Sequence, residues 1–255
     1  MTDARSFENK VAIITGAAGA IGAETAVLMA ERGAKIVAVD IAGANVDVLK
    51  ERIDADRLVI VEADVSDEAS VRNYVEEAKR AFGGRIDVFF NNAGIEGPVK
   101  PIVDYPLDAF KKVMAVNVDG VFLGLKYVLP VMLEQGGGAI VNSSSVAGLS
   151  GSPGTSAYNA SKHAVLGLTR VAAMEVADKN IRVNCINPGP IHSRMMDSLD
   201  EGSKGSEAER AKALPAKRYG RPEEVAQLVA FLASDAAGYI NGAYHPIDGG
   251  LHAST

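Results

Sequence analysis

The chain has 255 residues, 47% of them apolar and 23% charged, enough to bury about three quarters of the surface an unfolded chain exposes. Its net charge of −6 excludes a general nucleic-acid surface, which needs clustered Lys and Arg to neutralise phosphates. A single cysteine, Cys185, excludes an intrachain disulfide, and the polar stretch Met1–Lys10 lacks the apolar core of a signal peptide, so the expected location is cytoplasmic.

Strand and helix patterns alternate along the chain. Val11–Thr15 is an apolar, β-branched run ending in glycines, and Ala20–Arg32 has the spacing of a helix that stops at Gly33. Lys35–Asp40 reads as a strand, Val46–Ile53 as a helix, Leu58–Glu62 as a strand, Glu68–Phe82 as a helix and Ile86–Asn91 as a strand. A long helical region is predicted over Leu107–Glu134. Within it, Val113–Leu133 is the longest candidate membrane span; Asn117, Asp119, Lys126 and Pro130 make it a buried helix instead. Strand Ala139–Ser143, helix Ser156–Ala177, strand Ile181–Asn187, helix Pro222–Ser234 and strand Tyr244–Ile247 complete the order. The one extended loop-like stretch is Pro188–Arg218, polar and rich in Gly and Ser over Asp197–Glu209. Such a segment in a compact domain reads as a lid, here 189–218. Short apolar runs separated by helices mean parallel strands buried on both faces. The predicted fold is α/β, a doubly wound parallel sheet of about seven strands with helices on both faces, in one dinucleotide-binding catalytic domain spanning 1–255.

The turn after the first strand, Thr15-Gly16-Ala17-Ala18-Gly19-Ala20-Ile21-Gly22, opens a helix. Free N–H groups and the positive dipole end there suit a pyrophosphate, and glycines let the backbone come close. Asp40 ends the second strand, 18 residues after Gly22, where a carboxylate would accept bonds from the adenosine ribose. It would repel a 2′-phosphate, and Ala17, Ala18 and Ile41 supply no positive charge, so NAD is favoured over NADP. Asp64-Val65 and Asn91-Asn92-Ala93-Gly94 end the third and fourth strands, the edge where open α/β sheets bind ligands.

Tyr158 and Lys162, four residues apart in a predicted helix, share one face. A phenol titrates near about 10, too high for a base at neutral pH, and an adjacent ammonium lowers that value. Ser145 follows the fifth strand, 13 residues before Tyr158, and can offer its hydroxyl to a reacting oxygen.

With the glycine turn, Asn91-Asn-Ala-Gly94, Asn117, Ser145, Tyr158-Asn-Ala-Ser-Lys162 and Pro188-Gly189 in this order, residues 10–250 resemble the classical short-chain dehydrogenase/reductase family. The resemblance implies a Rossmann-type sheet with Tyr158 as acid/base. Lys162 would hold the nicotinamide ribose and lower the tyrosine pKa, Ser145 would orient the carbonyl, and Asn117 would hold a relay water. Gly16, Ala18–Gly22, Asp40, Ile41, Asp64, Val65, Asn92–Gly94, Pro188, Gly189, Ile191 and Ser193 would line the cofactor. Glu96, Ser145, Ala147, Pro190, Met195 and Met196 would surround the substrate. Two positions depart from the family: Ala20 stands where glycine is usual, and Ser193 where Thr is frequent. A narrower resemblance, in Phe89–Gly97, Gly120–Leu125 and Lys217–Gly220, is to dehydrogenases of alicyclic ketones and diols. It implies a cyclic or bulky apolar secondary alcohol or ketone as substrate partner.

Cys185 lies in an apolar strand and reads as a structural thiol. His163, His192, His245 and His252 lack ligand spacing, so no metal is expected. A homotetramer is expected, partly from the resemblance and partly from apolar residues on several helix faces, Val121, Phe122, Leu125, Val165, Leu166 and Leu168. Two alternatives remain: an acyl-carrier-protein ketoreductase, against which Asp40 and the acidic balance count, and a non-catalytic NAD-binding scaffold, which has no need of Ser145, Tyr158 and Lys162 together.

Overall fold

A computed structural model describes residues 6–201 and 206–254. Residues 1–5 of the polar N-terminal stretch and 202–205 of the predicted lid lie outside the described residues. Seven strands form one parallel sheet: β1 (Val11–Thr15), β2 (Lys35–Asp40), β3 (Leu58–Glu62), β4 (Val88–Asn91), β5 (Gly138–Ser143), β6 (Ile181–Pro188) and β7 (Tyr244–Ile247). Their order is β3-β2-β1-β4-β5-β6-β7. The order reverses between β1 and β4, and the crevice beyond that reversal is where such sheets bind ligands.

The central strands are apolar on both faces because helices cover both. Ile13 and Ile14 are adjacent and point to opposite cores, as do Phe89 and Phe90, since strand side chains alternate. All four are completely buried, and each such side chain stabilises the fold by roughly 1.5–3 kcal/mol through burial. One face carries α1 (Ala20–Glu31), α2 (Asp47–Arg52) and α9 (Pro222–Ala233). The other carries α3 (Glu68–Ala81), α5 (Gly120–Gln135) and α6 (Ser156–Val176). In α6 the buried stripe runs Ala157, Ser161, Lys162, Val165, Leu166, Thr169, Ala172, Ala173 and Val176. That 3.6-residue period turns Ser161 and Lys162 toward the sheet together with the apolar side chains.

The predicted helical region over 107–134 is present as α4 (Leu107–Met114) and α5 joined by a π-helical turn, Ala115–Asp119, while two other expectations need correction. Its 107–135 run is long and apolar enough to cross a membrane, but half of that window is buried within this fold, with Asn117 wholly enclosed. The stretch 188–218 is not irregular: it holds α7 (Arg194–Glu201) and α8 (Glu207–Ala213). Ser206 and Glu209 close a capping box on α8, with Ser206 N donating to Glu209 Oε2 at 2.8 Å and Glu209 N to Ser206 Oγ at 3.3 Å. Finally, Val121, Leu125, Val165 and Leu166 are buried in the chain's own core, so they offer nothing to a partner. The exposed apolar side chains on these two helices are Phe122, Leu133, Val171 and Met174.

Candidate active site

The cofactor motif folds as a tight hinge between β1 and α1. Gly16 has φ +64°, and a Cβ there would come within 3.0 Å of Ala93 and Asn92. A Cβ on Gly22 would strike the Gly16 carbonyl oxygen. The substitution to Ala20 is harmless because it starts α1 with a negative φ, while Gly19 takes the extended cap position at φ −76°. The first turn of α1 has neither a side-chain cap nor an acidic residue, which leaves its leading N–H groups facing the crevice between β1 and β4. These groups fit an anionic pyrophosphate.

Around this hinge the strand ends are laced together. Thr15 Oγ1 accepts from Asn92 N at 2.9 Å and Ala93 N at 3.1 Å. Asn92 Nδ2 donates back to the Thr15 carbonyl at 3.1 Å. Asp40 Oδ2 accepts from Ala18 N, and Oδ1 from Ile41 N, both at 2.8 Å. Each carboxylate oxygen keeps a lone pair for a ribose hydroxyl. Ile41 beside it is exposed. Asp64 is less directly available: its Oδ1 accepts from Ser66 N and Oγ in its own turn, while Val65 is wedged against Gly120.

The chemistry-bearing residues meet at Gly94. A Cβ on Gly94 would stand 3.2 Å from Asn117 Oδ1 and 3.4 Å from Lys162 Nζ, so only glycine fits without displacement. Lys162 Nζ donates to the Ser143 carbonyl at 2.8 Å and lies 5.5 Å from the centre of the Tyr158 ring. Ser145 Oγ accepts from Ala147 N at 3.1 Å, which holds it at the start of a 3-10 turn, and it stands near enough to the Tyr158 hydroxyl to act on its pKa. The π-turn carries Asn117 inward. Its amide donates to the Ile95 carbonyl at 2.8 Å and to Ser161 Oγ at 3.0 Å, and its Oδ1 accepts from Ile95 N at 2.8 Å. Both side-chain donors are thus occupied within the protein.

Burial pushes the Tyr158 hydroxyl above the ordinary phenol range; the Ser145 hydrogen bond opposes this and the Glu96 charge adds to it. This is opposite to the lowering expected from Lys162. The side chain as a whole is half-buried. Burial also lowers Lys162, to about 8, so it remains mostly an ammonium at neutral pH. Cys185, behind Lys162 in β6, is pushed up to about 11 by burial and stays a thiol.

Beyond β6, Gly189 packs its backbone on Asp248, and Ile191 pairs with Gly220. Pro190 accepts from Gly220 N at 2.9 Å through its carbonyl and lines a cavity of about 140 Å³ with Leu214, Ile247 and Asp248. Ser193 Oγ accepts from Met196 N at 3.2 Å and so starts α7, on which Met195 and Met196 are half-buried. Ser193 Oγ is therefore engaged at the start of α7 rather than free. Pro188 accepts from Ser145 Oγ at 3.5 Å, a long contact.

Two positioning residues escaped the sequence reading. Asn187 is fully buried and donates to the Ser145 carbonyl at 2.8 Å. Ser161 donates to the Tyr158 carbonyl at 2.8 Å while accepting from Asn117. A polar amide following the buried Cys185-Ile186 pair was the available signal for Asn187, since buried polar groups need partners.

A family model described as enoyl-(acyl carrier protein) reductase matches residues 16–252. Levodione reductase of Leifsonia aquatica is 44% identical, over 97% of this chain and 96% of its own length. Cyclohexanol dehydrogenase of an Acinetobacter strain is 40% identical over 95% of each chain. A 3-oxoacyl-acyl-carrier-protein reductase of Thermotoga maritima is 41% identical over 96% of this chain and 98% of its own. Among solved structures, levodione reductase superposes with a TM-score of 0.94 at 42% identity, covering 98% of this chain and 100% of that one. NAD⁺-bound xylitol dehydrogenase superposes with a TM-score of 0.88 at 36% identity, covering 96% and 99%.

Proposed function

The chain belongs to the short-chain dehydrogenase/reductase family, and from that premise we propose that it interconverts a cyclic or bulky apolar secondary alcohol and its ketone with NAD(H). The observation that carries this reading is the convergence of Ser145, Tyr158 and Lys162 beside Gly94, on the rim that also bears the uncapped start of α1. Relatives named for levodione and cyclohexanol support the substrate class. Asp40, with no basic residue supplied by Ala17, Ala18 or Ile41, supports NAD, as does the NAD⁺-bound relative.

Bound NAD supplies the hydride acceptor or donor. Ser145 Oγ orients the substrate oxygen. In reduction Tyr158 gives its proton to the oxygen as alkoxide character develops; in oxidation it takes that proton back. Burial, helped by the Glu96 charge, favours Tyr158 as a neutral phenol, the form needed for donation. Its use as a base depends on positive charge gathered nearby, to which the Lys162 ammonium contributes. Tyr158→Phe removes the hydroxyl and keeps the ring. It should lower kcat by about 100-fold or more in a screen of cyclic alcohols with NAD, leaving NADH affinity unchanged. Near wild-type turnover would refute the mechanism.

The 3-oxoacyl-acyl-carrier-protein reductase relative supports a second reading. It predicts better efficiency with NADP(H), and steady-state kinetics with both cofactors decide between the two. We also place the protein in the cytosol, on its lone buried Cys185. A homotetramer is supported by the half-exposed or more exposed Phe122, Val171 and Met174 on α5 and α6. Light scattering at micromolar concentration should return a mass well above one chain.

A further inference from the structure

The glycine-rich hinge is tied to the end of β2 at two consecutive amides. Ala17 N donates to the Val39 carbonyl at 3.2 Å, and Ala18 N donates to Asp40 Oδ2 at 2.8 Å. On its other side the hinge is held by β4, where Gly16 lies against Ala93 and Asn92 Nδ2 reaches the Thr15 carbonyl. Gly19 N closes the turn on the Gly16 carbonyl at 3.1 Å. One charged side chain thus stands among contacts that are otherwise uncharged. Among the described residues Asp40 forms no ion pair, and its carboxylate accepts from the Ala18 and Ile41 amides. A carboxylate accepting from N–H makes a stronger bond than a neutral acceptor.

From this geometry we infer that Asp40 holds the phosphate-binding hinge in shape, and so supports binding of the half of the cofactor that never reaches it. This rests on the NAD reading above and deepens it. Selection against a 2′-phosphate and pre-organisation of the hinge then reside in one carboxylate. Removing it to admit NADP(H) would loosen the site for both cofactors. A useful relaxation of cofactor choice would need a new acceptor for Ala18 N.

Two measurements test this. The first is hydrogen exchange at 17–19 in the cofactor-free protein. The second is a fluorescence titration with reduced nicotinamide mononucleotide, which lacks the adenosine ribose. Asp40→Ala should raise exchange at 17–19 and weaken mononucleotide binding, each by about 10-fold. Asp40→Asn, which keeps an acceptor for Ala18 N, should stay within about 3-fold of wild type in both. Asp40→Ser, whose hydroxyl is a shorter acceptor, should behave as alanine does and replaces that variant if it melts early. Unchanged exchange and unchanged mononucleotide affinity in Asp40→Ala, with NADH affinity reduced, would overturn the inference and leave a ribose contact only. If the wild-type protein bound neither NADH nor the mononucleotide, the NAD reading would fail, and the exchange experiment would still decide the role of Asp40 in the hinge.

Discussion

The carboxyl rim of the sheet has two halves made of different materials. At the ends of β1, β2 and β4 the shape is set by close-packed backbone, pinned by the Thr15, Asp40 and Asn92 side chains. Gly16, Gly22 and Gly94 each face a neighbour so near that a single added carbon must displace it, the Ala17 and Ala18 amides are bonded to the end of β2, and the Thr15 carbonyl accepts from Asn92. Beyond β6 the shape is set by side chains. α7 starts on the Ser193 hydroxyl, α8 on a Ser206–Glu209 box, and the return to α9 is held by Arg218 paired to both oxygens of Glu224 at 2.8 Å. A backbone-built half tolerates little variation and suits a constant ligand. A side-chain-built half can be changed one residue at a time, which suits a ligand that differs between relatives.

That contrast is breakable. Gly22→Val should weaken NADH binding by about 100-fold by forcing the Gly16 carbonyl aside, measured by fluorescence titration. Met195→Ala and Met196→Ala should instead leave NADH binding alone and alter the ratio of kcat/KM between a small and a bulky cyclic alcohol by about 10-fold. A lid variant that weakened NADH as strongly as the glycine variant would dissolve the distinction. Next in size is a pH effect at the seam between the halves. Lys162 is an ammonium below about 8 and loses that donor charge above it, so NADH affinity should fall as pH rises through about 8. Lys162→Ala should bind more weakly and show no such dependence.

Smallest is the effect of Glu224→Gln. The Arg218 hydrogen bonds, then the Arg221 backbone, hold the Glu224 carboxylate down at about 2. Its stabilising contribution is therefore present above the unfolded value near 4.5 and lost as pH falls toward 2. The pair is substantially exposed, so Tm should drop only slightly at pH 7, with the difference from wild type vanishing in acid.

The same contrast explains what could be read in advance. Strands such as β1, β2 and β4 were visible because burial on two faces demands apolar runs, and the hinge because glycines stand where nothing larger fits. Tyr158, Lys162 and Ser145 were readable as a set because helix period and strand order bring them to one place. The lid helices were missed although Ser206-Glu-Ala-Glu209 is a legible cap, because the surrounding composition is polar and no apolar stripe marks so short a helix. Asn117 was located, but its bonds to Ile95 and Ser161 depend on three separate chain segments, and no local pattern encodes them. The direction of the Tyr158 shift was also out of reach, since it turns on enclosure rather than on the spacing to Lys162.

The π-turn at 115–119 can be seen as an insertion that the helix has absorbed without losing its axis. Each residue advances an α-helix by ~100°, so α4 and α5 are out of phase with one another by the width of that extra residue. Shortening the segment by one residue would let the ladder run unbroken from 107 to 135, a more regular helix by any local measure. It would also rotate one flank relative to the other and take the Asn117 amide away from Ile95 and Ser161. A single-codon deletion here would therefore cost stability as well as the site, since it orphans a buried amide and turns the buried face of the helix away from the sheet.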